Sequence, residues 1–338
     1  MLKAINKLGK GARMVGAVGT SSLPVVIIGG LLYAAFFVKA EPTTGELKVR
    51  PLERRDAFYG VVAPGAATLW AAGSNGKIVR SEDGGKTWGV QDSPVVSHLQ
   101  SISAWDAQRA VAVGNRGLVV VTADGGKTWK EVKVPHSEVA NKLLQVHAYA
   151  DGVAWAVGEL GAVLKTGDYG ATWTRALEEK DQAWNDIAFV GQAGWLVGEF
   201  GQIQRTTDGG QTWASVQSPV KNSLMSVSFR DALHGVAVGL AGTVLVSNDG
   251  GESWKDVPPL TREHLNCVIW DGSGWVAVGD KGIRVSAGPE ADNWKAGRIS
   301  DQDLSWHTQI VKVADDYVLA GANLALLHKD ELRILGRD

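Results

Sequence analysis

The sequence has one cysteine, Cys267, in 338 residues. That excludes an internal disulfide framework and any zinc site built from cysteines. Aromatics other than tryptophan are scarce, at 6 Phe and 5 Tyr. Positions 1–39 hold no acidic residue but five basic ones, Lys3, Lys7, Lys10, Arg13 and Lys39, so the remainder carries 29 basic residues against 36 acidic. A net-acidic body lacks the basic surface that nucleic acid requires. The seven histidines are scattered along the chain. Against these shortages stand 42 Gly, without collagen's three-residue period, and 14 Trp. The first implies many turns, and the second implies one structural role used repeatedly. An apolar fraction of 45% excludes wholesale disorder.

The longest uncharged run is Met14 to Val38, 25 residues between Arg13 and Lys39. As a helix it would reach about 37 Å at 1.5 Å per residue, enough for a hydrocarbon core of about 30 Å. The basic flank keeps the N-terminus cytoplasmic and sends the body across the membrane. The expected organisation is a basic cytoplasmic segment 1–13, a transmembrane anchor 14–38, a linker 39–50 and a body 51–338. A cleaved signal peptide is the alternative, with Val38-Lys39-Ala40 as its small-residue site. Ala12, Gly16 and Thr20, and again Gly30 and Ala34, recur every four residues, the spacing that lets a partner transmembrane helix approach closely.

The body repeats. Ser81-Glu-Asp83-Gly-Gly-Lys-Thr-Trp88 returns around Asp124/Trp129, Asp168/Trp173, Asp208/Trp213 and Asp249/Trp254, with a degraded sixth copy from Ser286 to Trp294. Before each copy an apolar run ends in Gly, usually with a second Gly three residues on: Gly73/Gly76, Gly114/Gly117, Gly158/Gly161, Gly198/Gly201, Gly239/Gly242 and Gly279/Gly282. A seventh run, ending at Gly321, lacks the second Gly. Two independent motifs share a period near 41, giving seven units. Each unit reads as four short strands. In the unit near residue 200 they are Trp184 to Val190, Gly194 to Val197, Gln202 to Thr206 and Thr212 to Val216. The aspartates bond the N–H groups of their own turns, and the box tryptophans fill the gap between neighbouring sheets. Four-stranded units at this period predict an all-β fold, a seven-bladed β-propeller of antiparallel blades, preceded by one transmembrane helix. The last blade's outer strand comes from Glu331 to Leu335 or from Glu46 to Leu52.

The Ser/Thr-x-Asp-x-Gly-x-Thr/Ser-Trp copies are Asp boxes (BNR repeats). With the Val-Gly-x-x-Gly turns and the count of seven, the chain resembles the photosystem II stability and assembly factor family over residues 51–338. The resemblance implies a non-enzymatic propeller that helps assemble a membrane complex from outside the cytoplasmic face. It also implies relatives in non-photosynthetic bacteria that serve exporters of the resistance-nodulation-division (RND) type. This chain has no cysteine for lipid attachment near its span, and Arg116, Arg175, Arg205, Arg230 and Arg284 are spread over separate blades. Both features point away from a photosystem client and leave the exporter open.

The expectation is therefore a protein of the bacterial inner membrane, single-pass, with its propeller in the periplasm. Its partner is an integral membrane protein complex, with no cofactor, no metal and no small-molecule substrate. The alternative is a sialidase-like glycoside hydrolase, which needs an arginine cluster, a Tyr–Glu nucleophile pair and an early Phe/Tyr-Arg-Ile-Pro motif that the sequence lacks. Turns joining second to third strands open on the same face as the connections between blades, and that face is expected to bind the partner. It gathers Arg116, Glu159, Trp184, Glu199, Phe200, Asp280 and Lys281. His98 and His264 are expected at one mouth of the channel.

Overall fold

The structure is a computed structural model that describes residues 26–33, 50–139 and 141–336. The chain divides after Val49, and its two parts are taken separately. In the first, residues 26–33 form a helical turn pair whose side chains are exposed. Among the described residues no helix is long and apolar enough to cross a membrane. Of the small-residue stripe only Gly30 is described, and nothing lies within 4 Å of a Cβ placed there. Ala12, Gly16, Thr20 and Ala34 lie outside the described residues.

In the second part the described residues form seven four-stranded sheets, each antiparallel and each made from one continuous stretch of chain. Blades 1 to 7 occupy residues 58–91, 99–131, 143–175, 184–216, 224–256, 265–298 and 307–334. The seventh blade's outer strand is Glu331–Ile334, paired with the third strand of the same blade; of the other stretch considered for it, residues 46–49 lie outside the described residues. Leu52 still contributes, packing with Leu335 between blades 7 and 1.

The second strands read as unbroken apolar runs because both faces of each sheet are covered. The core is accordingly split into seven apolar clusters among the described residues, one between each pair of neighbouring blades. The inner strands line the axis, and polar side chains stitch them to one another. In five of the seven blades the side chain of the inner strand's third residue accepts a backbone N–H of the next blade. Ser101 takes Val146 N at 3.3 Å, Asp186 takes Val227 N at 2.9 Å and Ser226 takes Val268 N at 3.2 Å. Cys267 receives Ile310 N, and burial pushes its thiol up to about 12. Gln309 Oε1 accepts Val61 N at 2.9 Å, which closes the belt across the seam between blades 7 and 1. Side-chain hydrogen bonds and apolar packing hold this seam.

Each Asp box folds into the same turn. In the first, Ser81 Oγ and Thr87 Oγ1 donate to the two oxygens of Asp83 at 2.8 and 2.6 Å, and Thr87 N donates at 2.9 Å. The boxes at Asp124, Asp168, Asp208 and Asp249 repeat those bonds. Trp88, Trp129, Trp173 and Trp254 are buried against the preceding blade, as expected of gap fillers. Trp213 differs, being only partly buried.

A second tryptophan role was not anticipated. Trp70, Trp155, Trp195 and Trp275 lie inside second strands and are almost wholly buried. Trp195 reaches the next blade's box and donates its indole N–H to Gly250 O at 2.8 Å. A Cβ on Gly251 would stand 2.3 Å from that indole nitrogen. The second glycine of the Asp-Gly-Gly turn therefore makes room for the neighbouring blade's tryptophan as well as supplying positive φ.

A candidate binding face around the axis

Turns between second and third strands open on one face of the ring, called here the turn face; the Asp boxes lie on the other. The Gly198–Gly201 turn represents them. Gly198 is extended, with φ −162, so positive φ is not its purpose. A Cβ on it would stand 2.3 Å from Ala183 O, so the residue is glycine because the backbone entering the inner strand passes against it. The following Phe200 and Gly201 have φ of 57 and 72, and Gln202 N bonds Glu199 O at 3.0 Å. This is a type I′ turn, whose two central residues both need positive φ and favour Asn-Gly. Asn75 holds the first central position in blade 1, but Arg116, Leu160, Phe200, Ala241 and Lys281 hold it in blades 2 to 6, all left-handed. A left-handed non-glycine residue costs about 1–2 kcal/mol.

The residue before that position works inward. Glu159 accepts Lys142 N at 3.0 Å and Glu199 accepts Ala183 N at 2.8 Å, each clamping the start of its own inner strand. Asp280 Oδ1 accepts Asn266 Nδ2 at 3.1 Å. The two glutamates expected as partner contacts are thus on the turn face but carry a structural bond. Trp184 requires a fuller correction. It is 1% exposed and packs with Trp155 and Ile187 in the core, because the first residue of each inner strand points between blades. His98 and His264 do stand on this face, where each Nδ1 accepts a turn N–H of the preceding blade, from Asn75 and Ala241, at 3.0 Å.

The remaining expected residues are available. Phe200 is 69% exposed. Arg116 is exposed, and Lys281 is exposed with its ammonium 3.1 Å from Glu263. Inter-blade connections on the same face bring up the exposed side chains of Val96, Val139, Leu260 and Leu304. Sequence reasoning missed these four, since a lone apolar residue in a loop carries no periodic signal.

At the centre of the face lies a cavity of about 270 Å³. Every inner strand contributes its second residue: Tyr59, Gln100, Leu144, Asn185, Met225, Asn266 and Thr308. Trp306 stacks on Tyr59 at 5.8 Å between ring centres, and Asp280 reaches in from its turn. Apart from Asp280 none of these residues was singled out from the sequence. Alternation within the strand names the axial positions only once the inner strand of each blade is known.

A ring of seven blades, five of them carrying an Asp box, with one face of variable turns defines the chain as an Asp-box β-propeller. The profile of the photosynthesis system II assembly factor YCF48 family matches residues 88–182 and 212–316, more than half of the sequence. The chain belongs to that family. Among solved structures it is similar to YCF48 bound to a D1 peptide, at 17% identity and TM-score 0.67, over 82% of this chain and 94% of that one. YCF48 from Cyanidioschyzon merolae is similar at 14% identity and TM-score 0.66, over 82% and 97%. The GH74 xyloglucanase from Xanthomonas campestris shares the fold at 12% identity and TM-score 0.68, over 82% of this chain and 53% of that one. No protein of curated function matches the sequence.

Proposed function

We propose that this protein is a non-enzymatic assembly or stability factor that binds an integral membrane protein complex through the turn face. The observation that carries the reading is the collection of Val96, Val139, Phe200, Leu260 and Leu304, all exposed, on that one face. Phe200 holds its exposed position in a strained conformation that Asn or Gly would adopt freely, and strain at the surface points to use. Membership of the YCF48 family supports the reading, as does the relative seen with a D1 peptide. Residues 14–38 act as the anchor, which places the propeller on the extracytoplasmic side and gives the client a second attachment at high effective concentration. The client is a transporter of the RND type or a photosystem-like complex.

The test is cross-linked recovery of the client from intact membranes. Phe200→Ala together with Lys281→Glu should weaken recovery while the fold and membrane fractionation are unchanged. Normal recovery from that variant, with loss on changing Leu233 and Tyr169 of the Asp-box side, would reverse the docking. A C-terminal reporter that matures only outside the cytoplasm tests topology, and activity with retention in the membrane after a high-salt wash is expected. A soluble product beginning near Glu41 would remove the anchor.

The hydrolase alternative has one feature in its favour, a tyrosine–carboxylate pair in which Tyr317 donates to Asp271. Burial, and then that hydrogen bond, push the phenol up, the opposite of an activated nucleophile. A glycoside panel tests it, and turnover of any member would displace the binding reading.

A further inference from the structure

We propose that the axial cavity of the turn face is a receptor for one guanidinium side chain, an arginine of a bound peptide. The inference rests on the reading of this face as the client face. It specifies which group enters the centre.

The cavity is rich in acceptors. Asn266 Nδ2 donates to His307 O and to Asp280 Oδ1, both at 3.1 Å, and Asn185 Nδ2 donates to Leu224 O at 2.7 Å. A main-chain carbonyl can only accept, so both amides are oriented with their hydrogens turned into the protein. Among the described residues neither Oδ1 accepts a hydrogen bond, and Asp280 Oδ2 is likewise without a partner. Asp280 is the only charged residue lining the cavity. The nearest lysine in sequence, Lys281, is directed to Glu263. The lining also holds possible donors in Tyr59, Gln145 and Trp306, but its one formal charge is the Asp280 carboxylate beside the two outward amide oxygens, and the ligand that matches that corner brings donors and a positive charge.

Guanidinium and ammonium both meet that requirement, and the wall separates them. Tyr59 and Trp306 are stacked 10° from parallel, and both are partly exposed at the mouth. A planar guanidinium stacks on such a surface while its fork of N–H groups reaches several acceptors; an ammonium offers a point charge. The volume is below the range of drug-sized sites, which suits one long side chain entering from a peptide that lies on the face.

Calorimetric titration of the full chain in detergent tests this, using blocked Gly-Gly-Xaa-Gly-Gly peptides with Xaa arginine, lysine, citrulline or glutamate. The arginine peptide should bind one saturable site. Citrulline, which keeps the shape and loses the charge, should bind about tenfold or more weakly, the worth of a charge-assisted hydrogen bond. Glutamate should not bind. Asp280→Asn preserves the shape of the side chain and should erase the preference for arginine over citrulline at an unchanged melting midpoint. Trp306→Leu, with Asp280 intact, should weaken arginine more than lysine. Equal binding of arginine and citrulline, or a preference that survives Asp280→Asn, overturns the proposal, as does absence of saturation. If the cavity fails while Phe200→Ala with Lys281→Glu still loses the client, the face reading stands and only the arginine receptor falls.

Discussion

On the Asp-box side five turns repeat one set of bonds, and the side chains that define them point into their own turn. On the turn side six turns repeat one backbone and vary the residue at its tip: Asn75, Arg116, Leu160, Phe200, Ala241 and Lys281. The first arrangement spends its polar groups on the scaffold and leaves little for a partner. The second leaves the tip side chains unneeded by the scaffold, and five of the six sit where they strain it. A rigid ring thus separates holding the blades from presenting chemistry, and the separation lies along the axis from one face to the other.

The comparison can be broken first at the scaffold. Trp195→Ala removes a fully buried indole that spans two blades, and should destabilise by about 3–5 kcal/mol in denaturant titration. Trp213, only partly buried, should lose clearly less on the same change. Equal losses would show that the inter-blade wedge does not lie in the second strands.

The acid response comes next. Hydrogen bonds from the Thr87 and Thr128 hydroxyls, then from their backbone N–H groups, hold the Asp83 and Asp124 carboxyls at about 2. An unfolded aspartate titrates near ~3.9. A carboxyl whose folded value is depressed contributes stability that is complete above the unfolded value and is lost as pH falls toward the folded one. The urea midpoint should therefore drop between pH 4 and 2, and Asp83→Asn with Asp124→Asn should flatten that drop. An unchanged acid limb in the double variant would sink the assignment.

Glu199→Ala deletes the acceptor of Ala183 N and should cost about 1 kcal/mol, more than a free surface residue would. Changing Arg116 to Ala should leave the midpoint within about 0.5 kcal/mol. If the two are indistinguishable, the clamp is not formed in solution.

A change at the neighbouring turn tip has the opposite sign. Phe200→Asn relieves a left-handed phenylalanine and should raise stability by about 0.5–1 kcal/mol, while client recovery falls. A loss of stability would mean that the ring packs on something in the fold. Normal recovery would remove Phe200 from the binding face.

Much of this was legible in residue spacing. The box and the Gly-x-x-Gly turn fix blade count, strand order and the place of both turns, because each depends on local backbone geometry. The tip residues Arg116, Phe200 and Lys281 were placed on the turn face for the same reason. Trp184 was misplaced, because a strand's alternation says that it points to one side without saying which side is core. Glu159 and Glu199 were placed correctly and read as free, because their N–H partners lie 17 and 16 residues away.

What the sequence determined by itself is the repeated unit: the period, the Asp-box turns, the glycines and the positions where side chains vary. These follow from bonds made within a few residues of one another. What only the tertiary structure decided is everything that crosses from blade to blade: the Trp195 wedge against Gly251, the Gln309 bond that closes the ring and the axial cavity between seven strands. Those features join residues about 40 to 250 positions apart. Such pairs come into contact only after loop closure has set the blades side by side, so no local pattern encodes them.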